Sequence, residues 1–352
     1  MVGLKVKGFS EEELEYYSRQ MVLQDIGVSG QRKLKDASVC IVGLGGLGSP
    51  SSIQLTSMGV GRLRIIDRDI VETSNLQRQH LYGIDKLGHP KVEAAAERLG
   101  KLNPFIEVEP IPMAITPRNV EEMIEGMDVV VDGLDRMSPR YTLNRACVKL
   151  RIPMVFGAVM TNIGNVSTIV PGKTPCLECF QGGVDDDEIP SCAVVGVNPS
   201  IISIIASIQV SEVSRLITGR DPNLANTLMY CDLTDLSFER IKLARSELCP
   251  VCGSKPRRKP APIKVEPVEE ICGREGRRVF VFSTDRNLDL DLDALNQRLK
   301  DLEYEPLVET KLGTSFRKGS IKGSILKSGV TILEGVAGAM EATAIREQIF
   351  NP

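Results

Sequence analysis

A glycine-rich loop near the N-terminal end of the chain could hold the phosphates of a nucleotide. The loop IVGLGGLGSP, residues 41–50, contains four glycines: Gly43, Gly45, Gly46 and Gly48. Glycines let backbone N–H groups approach a phosphate closely at the start of a helix. Asp67 lies 19 residues after Gly48, where an acidic side chain can hydrogen-bond a ribose hydroxyl. NAD enzymes and ATP enzymes share this geometry, so the loop alone leaves the ligand open.

Polar and basic residues that follow Asp67 favour ATP. The segment DRDIVETSNLQRQHLYGIDKLGHPK contains Asn75, Arg78, Gln79 and Lys91. A hydride-transfer site has little need for two cations here, whereas a triphosphate carries about four negative charges for them to neutralise. Asp135 is the last residue of the run VVVDGLD and offers an oxygen ligand for Mg²⁺. These residues predict an ATP and Mg²⁺ site, with an NAD-dependent oxidoreductase as the alternative.

Four cysteines have the spacing of a zinc site. The segment PCLECF supplies Cys176 and Cys179, and LCPVCG supplies Cys249 and Cys252. Two CxxC pairs can provide four thiolates for tetrahedral Zn²⁺, and a redox-active pair is the rival interpretation. Zinc at this position would have a structural role.

The elements that position these residues alternate between strands and helices. The runs ASVCIVGL, GRLRIID, MDVVVDGLD and IPMVFGAV predict buried parallel strands, and residues 91–102 predict a helix. This alternation predicts a doubly wound, Rossmann-like α/β sheet that is mostly parallel. Residues 11–34 have helical spacing, and residues 199–217 predict a core or interface helix closed by Gly219.

A proline-rich basic segment, residues 253–262, predicts an exposed linker. It divides the chain into a nucleotide-binding domain with the zinc site, residues 1–260, and a small α+β domain of unknown role, residues 261–352. RRVFVFS, IKGSIL and VTILEG in the second part predict strands, and DLDALNQRLKDL predicts a helix.

Composition excludes several classes of protein. The 352 residues carry a formal net charge of −3, without the basic surplus that a nucleic-acid-binding surface shows. The N-terminus lacks a signal-peptide core and no run of eighteen apolar residues occurs, so we expect a cytoplasmic protein without a membrane segment. Two histidines argue against a His-rich metal centre or a Ser-His-Asp hydrolase.

Several motifs give the chain a family resemblance. They are YSRQ at 17–20, GQRKL at 30–34, GLGGLGSP at 43–50, SNLQRQ at 74–79, GHPK at 88–91 and NP at 103–104. Together they resemble the ThiF/MoeB/HesA group of ubiquitin-activating-enzyme-like adenylyltransferases. The resemblance implies that the enzyme adenylates the C-terminal carboxylate of a small ubiquitin-like sulfur carrier, similar to ThiS or MoaD and ending in Gly-Gly. A non-catalytic scaffold of the same fold is a further alternative.

The resemblance also implies roles for individual residues. Gly46 would lie at the nucleotide phosphates, Asp67 at the ribose and Asp135 at Mg²⁺, and three residues would surround the triphosphate: Asn75, Arg78 and Lys91. A carboxylate is already ionised at neutral pH and attacks the α-phosphorus without a general base, so such a site mainly positions reactants and neutralises charge.

Two further catalytic roles follow from the resemblance, and one position departs from it. Arg19 in YSRQ resembles the arginine that reaches into the partner subunit's ATP site, which implies a homodimer. Cys192 resembles the cysteine that accepts an acyl group from the adenylate as a thioester or acyl-persulfide. The family usually has asparagine after the metal-binding aspartate, but Arg136 follows Asp135 here. This arginine either adds a phosphate contact or points away.

Overall fold

The protein contains a large mixed sheet and a smaller antiparallel sheet. A computed structural model describes residues 7–186, 195–264, 266, 268–272 and 278–351. Within these residues the main sheet has the strand order β3-β2-β1-β4-β5-β6-β7-β8. Its strands are β1 (Ser38–Val42), β2 (Arg62–Ile66), β3 (Glu107–Ile111), β4 (Val129–Asp132), β5 (Met154–Met160), β6 (Ile163–Ile169), β7 (Thr227–Asp232) and β8 (Ser237–Lys242).

Helices cover both faces of the main sheet and one side of the smaller one. Those described are α1 (Glu11–Tyr16), α2 (Ser18–Met21), α3 (Gly27–Asp36), α4 (Gly48–Met58), α5 (Lys91–Leu102), α6 (Val120–Ile124), α7 (Met137–Leu150), α8 (Leu177–Phe180), α9 (Pro199–Thr218), α10 (Leu292–Asp301) and α11 (Ala339–Phe350). The stretch predicted as helical over 11–34 is three helices. Gly27 has φ of +58°, outside the range of a continuous right-handed helix.

The main sheet is doubly wound, which confirms the predicted fold class. Strands β3, β2, β1, β4 and β5 pair in parallel, and β6, β7 and β8 continue the sheet in antiparallel fashion. Alternate residues of β1 face two separate cores. Val39 and Ile41 pack with residues of α4, α5 and α9, whereas Cys40 and Val42 pack with residues of α6 and α7. The antiparallel extension was not predicted from the sequence.

Helix α9 occupies the core, as residues 199–217 predicted. The Asn198 side chain accepts a hydrogen bond from the Ser200 N–H, and Gly219 closes the helix with φ of +81°. Among the described residues, α9 is the one helix that is long and apolar enough to cross a membrane. Ile201, Ile205 and the other side chains of its apolar face are buried against the sheet, as in the core helix of a globular domain.

The C-terminal part forms the second sheet and two helices, an α+β arrangement as predicted. Its strand order is β11-β12-β13-β14-β10-β9, all antiparallel. The strands are β9 (Glu269–Cys272), β10 (Arg278–Phe282), β11 (Glu305–Glu309), β12 (Gly313–Lys318), β13 (Ile321–Leu326) and β14 (Thr331–Glu334). Phe280 and Phe316 are fully buried in a core of its own. The domain boundary at 260/261 stays a prediction.

Polar contacts dock the second sheet on loops at the carboxyl edge of the first. Ser315 Oγ donates to the Gly88 carbonyl at 2.7 Å, and Ser328 Oγ donates to the Pro112 carbonyl at 2.5 Å. Asp285 accepts hydrogen bonds from Thr116 Oγ1 at 2.9 Å and from Arg118 Nη1 at 2.6 Å. The loops contacted follow β2 and β3, so the C-terminal sheet adjoins the edge where doubly wound folds bind ligands.

A buried ion pair lies under this edge. Asp132, the last residue of β4, is fully buried, and its Oδ2 lies 3.3 Å from Nε of Arg140 in α7. Its Oδ1 accepts a hydrogen bond from the Leu134 N–H at 3.0 Å, and Arg140 Nη2 donates to the Gly157 carbonyl at 2.8 Å. Burial raises the pKa of Asp132 to about 6, although the Arg140 charge opposes that shift.

Replacement of Asp132 by asparagine should flatten the pH dependence of stability. The pKa of Asp132 is about 6 in the folded chain and has an ordinary value of 3.8, so the folded state holds this proton more tightly. The stabilisation is complete below about pH 4 and is lost as pH rises through 6, a change on the order of 3 kcal/mol. Asp132→Asn lacks this step because its amide does not ionise, so the variant should lose less stability than the wild type as pH rises.

The measurement is the free energy of urea unfolding of both proteins at several pH values from 4.5 to 7.5. The difference between wild type and Asp132→Asn should change across that range. A difference that stays constant with pH would show that Asp132 does not titrate there.

Candidate functional site

The predicted glycine loop connects β1 to α4 at the carboxyl edge of the sheet. Gly43 has φ of +88°, and a Cβ placed on Gly48 would lie 1.8 Å from the Gly43 carbonyl oxygen. A Cβ on Gly133, just after β4, would lie 2.4 Å from that same oxygen. These three positions therefore require glycine for the backbone to close on itself.

The other two loop glycines have a different environment. A Cβ on Gly45 would have only the Gln79 amide nitrogen within reach, at 3.9 Å, and a Cβ on Gly46 would lie 3.0 Å from Ile202 Cδ1. Gly45 is thus not required by internal packing. Its lack of a side chain leaves the backbone open to close approach by a ligand.

Asp67 holds the loop against β2. Its Oδ2 accepts a hydrogen bond from the Leu44 N–H at 2.6 Å, and its Oδ1 accepts one from the Asp69 N–H at 2.7 Å. The Tyr82 hydroxyl donates to the Leu44 carbonyl at 3.1 Å, so both polar groups of Leu44 are fixed. Burial raises the pKa of Asp67, while the Lys91 charge opposes the shift. The ribose role predicted for Asp67 stays a prediction.

Lys91 is buried at the first turn of α5 and forms an ion pair that the sequence analysis missed. It is 5% exposed, and its Nζ lies 2.9 Å from Asp69 Oδ2. Burial alone would lower the pKa of Lys91, but the carboxylates of Asp69 and Asp67 raise it above its usual value. Burial opposes ionisation of Asp69, but Lys91 and Arg68 lower its pKa. Lys91 is therefore a fixed positive charge beside the loop. The sequence signal for this ion pair is the motif DRD at residues 67–69, in which Asp69 is the second acid.

The segment between Asp69 and Lys91 lies across the loop. Asn75 is buried, and its Oδ1 accepts a hydrogen bond from the Glu72 N–H at 3.0 Å. Arg78 Nη1 donates to the Ser74 carbonyl at 2.7 Å and its side chain is half-buried. Gln79 is 2% exposed, and its Oε1 has no hydrogen-bond partner within the described part of the chain.

The buried amide oxygen of Gln79 is evidence for a missing partner. A buried polar atom without a hydrogen bond is costly, and native proteins satisfy nearly all such atoms. Gln79 lies beside Gly45, where the backbone is open. A ligand with hydroxyl or amino donors, as a nucleotide has, fits this oxygen.

Asp135 and Arg136 lie in the loop between β4 and α7. The strand ends at Asp132, so Asp135 is three residues beyond it and exposed, which leaves its carboxylate oxygens available to a cation. Arg136 Nη1 donates to Glu269 Oε2 at 2.9 Å, and Arg136 Nε lies 3.8 Å from Asp186 Oδ2. The arginine that departs from the family pattern is therefore paired with the C-terminal sheet.

The four predicted zinc ligands come together. The Sγ atoms of Cys176, Cys179, Cys249 and Cys252 all lie within 4.8 Å of one another. Three of the sulfur pairs are 3.4, 3.7 and 4.0 Å apart. Ligands at the usual Zn–S distance of about 2.3 Å would be about 3.8 Å apart in a tetrahedron, so the donor set fits zinc.

Arg19 lies away from the glycine loop of its own chain. Arg19 is exposed on α2, and its neighbour Gln20 donates to the Met58 carbonyl at the C-terminal end of α4. The glycine loop lies at the opposite end of that helix. Cys192 falls in 187–194, outside the described residues. The roles predicted for both stay predictions.

Comparison with known proteins gives relatives that this chain covers over most of their own length. A sulfur carrier protein adenylyltransferase of Thermus thermophilus is 39% identical over 254 residues, covering 70% of this chain and 94% of that protein. A SAMP-activating enzyme E1 of Haloferax volcanii is 38% identical, covering 68% of this chain and 89% of that protein. The sulfur carrier protein ThiS adenylyltransferase of Bacillus subtilis is 33% identical, covering 94% of this chain and 97% of that protein.

The chain is also similar to a solved structure, and it matches a family model. The crystal structure of E. coli MccB with ATP has a TM-score of 0.57 and 27% identity, covering 64% of this chain and 69% of that chain. The ThiF family model matches residues 17–251. This match includes the glycine loop, Asp67, Lys91 and three of the four clustered cysteines; Cys252 lies one residue beyond it. The chain belongs to the ThiF family.

Proposed function

We propose that this protein catalyses ATP-dependent adenylation of the C-terminal carboxylate of a small ubiquitin-like sulfur carrier that ends in Gly-Gly. The observation that carries the proposal is the cluster at the carboxyl edge of the sheet. An open glycine loop, the Asp69–Lys91 pair and the unpartnered Gln79 oxygen meet there. The chain belongs to a family whose named relatives here are adenylyltransferases of sulfur carrier proteins.

The residues present suit the chemistry of acyl adenylation. The carrier carboxylate forms a bond to the α-phosphorus, and the bond to the bridging oxygen breaks, so that pyrophosphate leaves. No proton is transferred, because the carboxylate is already ionised. Arg78 and Lys91 would neutralise the phosphates from fixed positions, which lowers the barrier through charge stabilisation. Exposed Asp135 would hold Mg²⁺, and this ion when bound neutralises further phosphate charge.

The proposal includes a homodimer and a later acyl transfer. Arg19 lies at the far end of α4 from the loop of its own chain, a position that suits contact with a partner's nucleotide. The Cys192 thiolate would accept the acyl group from the adenylate as a thioester, with release of AMP; an acyl-persulfide would form in its place where a persulfide donor has first transferred a sulfur atom to Cys192. A cytoplasmic location belongs to the same proposal.

The four-cysteine cluster is proposed to bind one structural Zn²⁺. It joins the start of α8 to the turn at 249–252, two segments far apart in sequence. A closed set of four thiolates leaves no position for substrate, which distinguishes it from a catalytic zinc site.

ATP–pyrophosphate exchange tests the adenylation step. The assay contains Mg²⁺, labelled pyrophosphate and small carriers that end in Gly-Gly. We expect carrier-dependent exchange in the wild type, a loss of about 100-fold in Arg78→Ala because a phosphate-facing charge is removed, and retention in Cys192→Ala. Arg98→Ala, which removes an exposed arginine of α5, is the matched control and should keep wild-type exchange.

Two results would contradict the proposal. Binding of NAD in place of ATP would return the glycine loop to redox chemistry. Binding of ATP without exchange, for every carrier offered, would indicate a non-catalytic member of the fold.

Zinc content tests the cysteine cluster. The wild type should contain about one zinc per chain, and Cys252→Ser should contain little and unfold at a lower temperature, since metal binding in such sites contributes on the order of 10 kcal/mol. Cys231→Ala, which removes a buried thiol of β7 outside the cluster, should retain the metal. Full zinc content in Cys252→Ser would show that the metal binds outside this cluster, and a disulfide in the cluster of the native protein would favour the redox interpretation.

A further inference from the structure

Glu269 of the C-terminal sheet lies between two arginines of the candidate site. Its Oε1 accepts a hydrogen bond from Arg68 Nη1 at 2.8 Å, and its Oε2 accepts one from Arg68 Nη2 at 2.7 Å. The same Oε2 accepts a third from Arg136 Nη1 at 2.9 Å. Ser283 of the C-terminal part also accepts from Arg68 Nη1, at 2.9 Å. One carboxylate therefore binds two cations from two different loops.

Both arginines are direct neighbours of residues assigned to the nucleotide. Arg68 stands between Asp67, which fixes the glycine loop, and Asp69, which pairs with Lys91. Arg136 follows Asp135, the candidate Mg²⁺ ligand. The two loops come from β2 and β4, which are separated by β1 in the sheet. Glu269 thus joins the two sides of the site from outside the nucleotide-binding domain.

The ion pair between Arg68 and Glu269 is strong because both side chains are largely buried. The side chains of Arg68 and Glu269 are only 18% and 25% exposed, so their attraction is weakly screened. Bidentate arginine–carboxylate pairs are also among the strongest and most directional hydrogen-bonded contacts. Without Glu269, the guanidinium of Arg68 would turn toward Asp69 and weaken the Asp69–Lys91 pair. Arg136 would keep its longer contact with Asp186, at 3.8 Å, and its guanidinium would be free to turn toward its neighbour Asp135.

We propose that Glu269 is a positioning residue of the nucleotide site. By holding Arg68 and Arg136, it keeps Asp69 for Lys91 and leaves Asp135 free for the metal ion. The inference rests on the proposed function, because it assumes that these loops bind Mg²⁺ and ATP. It gives the C-terminal part a role in the adenylation site and accounts for the arginine at position 136.

The alternative is that Glu269 merely attaches one domain to the other. Asp285 provides the matched control, since it also joins the two parts but contacts Thr116 and Arg118, which are not assigned to the nucleotide. Both acids are replaced by the amide of the same shape.

The test measures KM for ATP and for the carrier in the exchange assay with full-length variants. Glu269→Gln should raise KM for ATP about fivefold or more and leave KM for the carrier within twofold. Asp285→Asn should leave both within twofold. In the double variant Glu269→Gln/Arg136→Asn, KM for ATP should recover toward the wild-type value, because the released cation next to Asp135 is gone.

Equal effects of Glu269→Gln and Asp285→Asn, or no recovery in the double variant, would overturn the inference. If Glu269→Gln does not fold, Glu269→Asp keeps the charge at a shorter reach and should still raise KM for ATP; an unchanged KM overturns the inference. If the wild type shows no exchange, the proposed function fails separately. Titration of a fluorescent ATP analogue with Mg²⁺ then gives Kd for the same variants, with the same fivefold difference expected and its absence decisive against the inference.

Discussion

The close approach of three backbone segments around the Gly43 carbonyl oxygen is the constraint on which the site depends. A Cβ on Gly48 or Gly133 would lie within 2.4 Å of that oxygen, so the start of α4 and the end of β4 can meet the loop only as glycines. This contact points the N-terminal turn of α4 toward the centre of the carboxyl edge. A helix N-terminus at that position favours bound anions through its free N–H groups and its dipole. The open backbone at Gly45 and the Gln79 Oε1, which has no hydrogen-bond partner among the described residues, are held in place by this contact of three backbone segments.

Charges around this frame alternate in sign. Asp67 contacts the loop, Lys91 pairs with Asp69, and Arg68 pairs with Glu269 of the second sheet. Lys91 and Arg68 each have a partner of opposite sign, and Asp67 accepts two backbone hydrogen bonds; these contacts offset the cost of removing the charges from water. The alternation also keeps the side chains in single orientations, and a site that works by positioning needs that rigidity. The C-terminal sheet takes part in this arrangement through one carboxylate at the start of β9.

The relatives differ in how much of this chain they match. The Thermus protein matches 254 residues of this chain, which are 94% of its own length, whereas the Bacillus protein matches 94% of this chain and 97% of itself. The Thermus protein is thus too short to match the whole of this chain, whereas the match to the Bacillus protein spans nearly all of it. The sequence motifs that predicted the family all lie inside the ThiF match, at residues 17–104. They could say nothing about what the second sheet contacts.

The sequence by itself determined the fold class, the glycine loop, the helix at 91–102 and the four-cysteine set. These depend on local patterns: apolar runs of strand length, helical periodicity and ligand spacing that are readable within a few residues. Only the tertiary structure decided the antiparallel strands β6–β8, the Asp69–Lys91 pair and the position of Glu269. Arg68 and Glu269 are 201 residues apart, and no local periodicity connects them. Contacts of this kind arise from the packing of complete sheets, which fixes the distance between side chains but leaves no trace in the order of neighbouring residues.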